Sequence, residues 1–164
     1  MFDKTGVASP EMIKGILPSE ERRKKGPYAV FECFQEIPCN PCYTSCKVGA
    51  VEEMKDINHL PKVNYEKCTG CGVCVSNCPG LAIFVIDETY SENEATIKIP
   101  YELVPLPQFG QIVDALDREG QVIGKGRVLK VQNSKALNKT NAVTIAVLKD
   151  QAMLVRHIGL GGNR

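Results

Sequence analysis

The sequence predicts an α+β chain in two unequal parts: a cysteine-bearing domain of mixed structure, then a small all-β, barrel-like domain. Three observations predict it. All eight cysteines of the 164-residue chain fall between residues 33 and 78. They form two related groups, so that stretch repeats itself. Beyond Val104-Pro105-Leu106-Pro107 there is no cysteine, and apolar residues alternate as in half-buried strands. A chain of this length can bury one core, or two small ones side by side. The expected divisions are an N-terminal docking arm with short helices (1–27), the cysteine domain (28–103), the β domain (104–158) and a loose tail (159–164).

The elements follow in order. Ser9-Pro10-Glu11 reads as an N-cap, a proline at the first helical position and an acid in the first turn. Met12, Ile13, Ile16 and Leu17 then share one face until Pro18 stops the helix, with Gly15 a weak point inside it. This apolar face is a docking element, or it folds back on its own domain. Ser19 to Gly26 reads as a short exposed helix whose charge run is a solvated face, with partner docking as the sharper alternative. Tyr28 to Phe31 is a strand leading into the first cysteine loop, and Pro61 to Tyr65 is its counterpart before the second. Ala82 to Ile86 and Ala95 to Ile99 form a hairpin across the polar Ser91-Glu92-Asn93. Two prolines in four residues at Val104 to Pro107 resist helix and central strand alike, and mark the boundary. Strands are expected over 111–117, 121–131, 142–148 and 152–158. Turns fall at Asp117-Arg118-Glu119-Gly120, around Asn138 and at Lys149-Asp150. Gly124-Lys125-Gly126 lacks the third glycine and following helix of a dinucleotide fingerprint and reads as a bent strand.

The cysteines carry the chemistry. Cys68, Cys71, Cys74 and Cys78 are spaced C-x2-C-x2-C-x3-C, and Pro79 follows at once. That is the run by which bacterial-type ferredoxins hold cubane [4Fe–4S] clusters, the fourth cysteine serving the other cluster. Cys33, Cys39, Cys42 and Cys46 are spaced C-x5-C-x2-C-x3-C; the last three lie 32 residues before Cys71, Cys74 and Cys78. The match continues past the ligands, in Ala50-Val51 and Ala82-Ile83. By the cross-over rule one cluster takes Cys33, Cys39, Cys42 and Cys78, and the other Cys68, Cys71, Cys74 and Cys46. The expected cofactors are therefore two [4Fe–4S] clusters, and the expected chemistry is one-electron transfer.

Zinc and disulfides are the competing readings. Structural zinc uses two separated Cys/His pairs, not triplets at i, i+3, i+6 with a fourth at i+10. Disulfides need an oxidising compartment, to which nothing in the chain points. The two loops differ: Asn40-Pro41 stands where Gly72-Val73 stands in the second copy, and Lys47 takes the place of Pro79. Pro41 donates no hydrogen bond, so the clusters are expected to differ in potential.

Residues 28–86 resemble a bacterial-type two-cluster ferredoxin. The string Glu32-Cys33-Phe34-Gln35-Glu36-Ile37-Pro38-Cys39-Asn40-Pro41-Cys42 is part of a narrower likeness. With Cys68-Thr69-Gly70-Cys71-Gly72-Val73-Cys74 and Cys78-Pro79-Gly80-Leu81-Ala82-Ile83, it is similar to ferredoxin-like subunits of multi-subunit FAD-dependent dehydrogenases. Those complexes, of the proline, hydroxyproline and sarcosine dehydrogenase type, oxidise secondary amines at a flavin. The resemblance implies a hetero-oligomer with a catalytic FAD subunit and a second FAD subunit that meets NAD(P).

The rest of the chain excludes more than it adds. Hydrophobic (43%) and charged (24%) fractions are those of an ordinary globular protein. A net charge of +1 gives no push toward nucleic acid or an anionic membrane, although residues 33–90 carry −3 and residues 91–164 carry +3. The start lacks the apolar stretch of a signal peptide, and the longest apolar run, Leu81 to Ile86, is far short of the ~20 residues that span a bilayer. Eight thiolate ligands suit a reducing cytoplasm. His59 and His157 lie apart from any acid/base constellation, and Phe34, Tyr43 and Phe84 read as water-excluding packing near the ligands. No catalytic residue is visible. The expectation is an electron-transfer subunit. A diffusible ferredoxin with extensions and a structural or regulatory cluster protein are the alternatives.

Overall fold

The computed structural model of the chain describes residues 2–137 and 140–161. The turn expected around Asn138 and the end of the expected tail, 162–164, lie outside the described residues. Short helices open the chain. After α1 (Phe2–Thr5) comes α2 (Pro10–Ile16), started as the sequence predicts: the Ser9 side chain accepts a hydrogen bond from the Met12 amide, and Pro10 fills the first turn. A second serine cap begins α3 (Glu20–Arg23), Ser19 accepting from the Arg22 amide. The arm folds back on its own chain. Ile13 is buried, Ile16 and Leu17 pack on the main core, and the Tyr65 hydroxyl donates to the Ile16 carbonyl.

Seven strands make one antiparallel sheet in the order β1-β2-β3-β6-β5-β4-β7. They are β1 (Tyr28–Phe31), β2 (Ile83–Asp87), β3 (Glu94–Tyr101), β4 (Ile112–Leu116), β5 (Val122–Gln132), β6 (Asn141–Leu148) and β7 (His157–Gly159). The expected hairpin is β2–β3, with Val85 opposite Lys98. The long β3 then pairs with β6 along its whole length, from Glu94 opposite Leu148 to Tyr101 opposite Asn141. The strands after residue 104 therefore join the sheet of the cysteine-bearing segment and do not close on themselves. The barrel-like expectation is corrected to an open sheet with β1 and β7 as edges. The edge strands are short, four and three residues, and side chains rather than a backbone ladder connect the regions next to them.

Two further expectations change. Pro61 to Tyr65 is not a strand; one bridge, Val51 to Val63, is what remains of it, in a segment that opens on a proline. Residues 152–154 form a turn after a 3-10 helix at Lys149–Gln151, so the last strand is only His157–Gly159. The chain needs those residues to come round beside β4. The bent-strand reading of Gly124-Lys125-Gly126 agrees with β5, where a Cβ on Gly126 would stand 3.0 Å from Ile145 Cδ1.

Alternation divides the sheet's side chains between two cores. One face brings together Tyr28, Val30, Phe84, Ile86, Ile97, Ile99, Val113, Val128, Val143, Ile145 and Ile158. The other face of β1 and β2, Ala29, Phe31, Ile83 and Val85, packs with Cys42, Val51, Cys74 and Val75. Both cysteine loops thus rest on a single rigid surface. A charged cluster adds to the β3–β6 ladder and the shared core. Glu32, just after β1, receives Arg118 Nη2 and Arg156 Nε, each at 2.6 Å, and Arg156 lies over the Phe84 ring. Among the described residues no helix is long and apolar enough to cross a membrane.

Candidate metal-cluster site

Two short helices hold the cysteine loops. In the first, Pro41 opens α4 (Pro41–Thr44), which carries Cys42. In the second, Gly72 at φ +81° starts α5 (Val73–Asn77), which carries Cys74 and buries Val75. A proline bars the helical region to the residue before it, and Cys78, followed by Pro79, is extended at φ −83°, ψ 111°. The fourth cysteine of the second copy is thereby directed away from its own loop.

Where it goes is the central geometric fact. Cys78 lines a hollow with Cys33, Cys39 and Cys42, while Cys46 lines a second with Cys68, Cys71 and Cys74. Each hollow unites three cysteines of one repeat with the fourth of the other. Their walls are otherwise mostly apolar: Phe31, Ile37, Pro61 and Ile83 in the first; Phe31, Val48, Val51 and Val63 in the second.

The thiols differ in setting. Cys42 and Cys74 are buried and Cys71 is exposed. Burial pushes the Cys42 thiol up to about 11 and Cys74 up to about 12, and raises Cys33 and Cys39 less. Cys46 behaves oppositely. Burial opposes its ionisation, yet the backbone N–H groups of Val51, Ala50, Val48 and Gly49 hold it below the ordinary thiol value. The Ala50 amide donates to Cys46 Sγ at 3.2 Å; its repeat counterpart, the Ala82 amide, donates to Cys78 Sγ at 3.5 Å.

Among the described residues no group of three or more His, Cys, Asp or Glu is placed to hold a single metal ion. The thiols instead surround volumes. Four sulfur donors around an apolar-walled space, with amide N–H groups directed at sulfur, suit a cubane cluster better than one tetrahedral ion.

Sequence reasoning missed three participants. Arg22, in the run read as a solvated face, is turned inward at 9% exposure and donates to the carbonyls of Tyr65, Gly26, Pro27 and Cys68. Its neighbour Arg23 pairs with Glu88 at 2.7 Å. Lys98 reaches from β3 to the second loop, its Nζ donating to the Cys71 carbonyl at 3.1 Å. Burial, then nearby Lys130, lowers the pKa of Lys98. His59, read as a bystander, lines the first hollow. A single Arg, Lys or His, within a charge run or alone, carries no periodic signal that could have revealed its partners. Of the three aromatic residues, Phe84 is buried and Phe34 packs edge-on to Phe2, whereas Tyr43 is an exposed side chain and not core. His157 stacks on Tyr101, away from the cysteines.

A fold that sets ferredoxin-spaced cysteines around two hollows defines an iron–sulfur protein. Residues 61–84 match the 4Fe-4S binding domain family. The chain is 30% identical over 69 residues to pyruvate synthase subunit PorD of Methanothermobacter marburgensis, covering 40% of this chain and 78% of that one. It is 38% identical over 52 residues to PorD of Methanocaldococcus jannaschii (32% of this chain, 58% of the relative). Over 100 residues it is 31% identical to a selenate reductase subunit of Mesobacillus selenatarsenatis (57% and 33%). No solved structure matches the chain. The chain belongs to the ferredoxin-type 4Fe-4S binding proteins, and its eight cysteines are the number that two clusters take. It spans about a third of the selenate reductase subunit and somewhat over half of the Methanocaldococcus PorD.

Proposed function

We propose that this chain is an electron-transfer subunit of a multi-subunit oxidoreductase, relaying electrons through two [4Fe–4S] clusters. One is held by Cys33, Cys39, Cys42 and Cys78, the other by Cys68, Cys71, Cys74 and Cys46. The observation that carries this reading is the sharing of each hollow between the two cysteine repeats. When bound, such clusters take up and release one electron at a time. The protein's own part is to supply thiolates, exclude water with Phe31, Val51 and Ile83, and direct amide N–H groups at sulfur.

The finer reading is a flavin-dependent amine or imino-acid dehydrogenase of the cytoplasm. The chain would pass electrons from a substrate-oxidising FAD subunit to an FAD/NAD(P)-linked one. Its support is the likeness carried by residues 32–42 and 68–83. A role within a complex is supported also by the names of the relatives, which are subunits of pyruvate synthase and selenate reductase, and by exposed apolar surface. Val104 and Phe109 are 89% and 82% exposed, beside Leu103 at 55%. Exposed apolar side chains of this size, if contiguous, are what a partner chain would cover.

Anaerobic affinity purification from the native host tests the proposal, with iron, sulfide and flavin counted. The expected result is about eight irons per chain, together with flavin and larger polypeptides. About eight irons, no flavin and a single 18.0 kDa band would instead identify a diffusible ferredoxin with extensions. In the assembled complex, Cys71→Ser is expected to abolish acceptor reduction while the flavin half-reaction survives. Unimpaired acceptor reduction would point to a structural or regulatory cluster.

A further inference from the structure

Lys98 sits in the middle of β3, on the sheet face that carries the second cysteine loop. Its neighbours across the ladder are Val85 on β2 and Thr144 on β6, and Thr144 in turn faces Lys130 on β5. The Lys98 side chain lies across Gly72. A Cβ at that glycine would stand 2.6 Å from Nζ and 2.8 Å from Cδ. Nζ then donates to the carbonyl of Cys71. Among the described residues no carboxylate lies within ion-pair distance of Lys98 or of Lys130.

The side chain is partly buried, and among the described residues its ammonium has no counter-ion at the exposed Cys71 peptide. Here it is directed at the peptide of a cysteine that, under the proposed function, carries an anionic iron–sulfur cluster. Among the described residues neither hollow has a lysine or arginine in its wall, and the first has His59. The difference lies in the loops: the carbonyls of Cys71 and Cys68 accept from Lys98 and Arg22, and among the described residues no lysine or arginine bonds to Cys33, Cys39, Cys42 or Cys78. The nearby groove, which shares His59, contains Glu36, Glu52 and Glu53 against Lys55 and Lys62. The amide contacts lean the same way, since Cys46 of the Lys98 side accepts a shorter N–H···S bond than Cys78 does. Adding an electron makes a cluster more negative. A fixed cation and amide donors therefore favour its reduced form, and carboxylates disfavour it.

We infer that Lys98 sets the order of the two potentials: it makes the cluster of Cys68, Cys71, Cys74 and Cys46 the higher-potential one, where electrons collect. Electrons then run downhill from the hollow of Cys33 to the hollow of Cys71. Lys98 acts through the Cys71 loop and its own charge, as a positioning residue and not a ligand. The inference rests on the two-cluster reading.

The test is an EPR-monitored redox titration of the purified holo-protein as wild type, Lys98→Met and Lys98→Arg, with iron counted in each. In Lys98→Met the reduced-to-oxidised ratio of the higher-potential cluster is expected to fall about tenfold at a fixed ambient potential, ~59 mV for a one-electron couple. The other cluster keeps its midpoint, and Lys98→Arg restores the wild-type order. The signal that moves should be the one perturbed in Cys71→Ser. About eight irons with neither midpoint moved, with both moved alike, or with the lower-potential cluster moved would overturn the role of Lys98 alone. About four irons in the wild type would overturn the two-cluster reading, and the ordering with it.

Discussion

Arg22 shows how much a single side chain organises here. Its guanidinium serves four carbonyls, at 2.8 Å for Tyr65, 3.1 Å for Gly26, 2.8 Å for Pro27 and 2.6 Å for Cys68. One planar fork thus ties the N-terminal arm to the start of the second cysteine loop. Arg22→Met would leave those carbonyls without a donor, and we expect a loss of about 3 kcal/mol, read from the urea midpoint of the holo-protein. Arg22→Lys should recover only part, because an ammonium cannot reach all four acceptors. Bleaching at the cluster absorption should precede global unfolding in Arg22→Met. The proposed ligand cross-over is also a residue-scale matter. Cys46→Ser should disturb the cluster of Cys68, Cys71 and Cys74 and spare that of Cys33, Cys39 and Cys42. Loss of the opposite EPR signal would refute the assignment. The cysteines that line the two hollows were legible in the sequence because their spacing is a local property of one loop. Arg22, Lys98 and His59 were not, because their roles depend on partners brought together by folding: 43 residues away for Arg22 and Tyr65, and 27 for Lys98 and Cys71.

Among the elements, α5 is the most tightly specified. Gly72 begins it in the left-handed region, and the space where a Cβ would stand is filled by Lys98. Gly72→Ala should therefore cost about 1–3 kcal/mol in strain. It should also push Lys98 off the Cys71 carbonyl, which the redox titration would register as a fall in the potential of that cluster. The helix starts at Ser9 and Ser19 were readable, since an N-cap lies within three residues of the amide it satisfies. The β2–β3 hairpin was readable for the same reason of proximity. Pro61 to Tyr65 and 152–158 were over-read as full strands. A short apolar stretch has no way to announce whether a neighbour with a free ladder edge awaits it.

Across the whole molecule, Glu32 gathers distant parts. It is nine-tenths buried between Arg118 and Arg156, on segments 86 and 124 residues away. Burial alone would raise its carboxyl pKa, but the two guanidinium groups outweigh burial and hold it below the ordinary value. A carboxyl lowered in the folded state contributes stability that is complete above its unfolded pKa and lost as pH falls through the folded value. Glu32→Gln should accordingly cost about 3–5 kcal/mol at neutral pH, because it leaves buried arginines unpaired. The gap to wild type in thermal unfolding should narrow only in acid, below the usual carboxylate range. A pH-independent gap would exclude this ion-pair origin. The cofactor type, the two repeats, the helix starts and the β character of residues 104–158 could all be read from the chain, because each depends on spacing within a few residues or on alternation along one segment. Folding alone decided that β3 and β6 join both halves in one open sheet, that the arm returns to Tyr65, and that Lys98 rests on one cysteine loop and not the other. These features depend on which surfaces meet. The energy that selects them comes from burial and pairing between residues that local patterns leave unrelated.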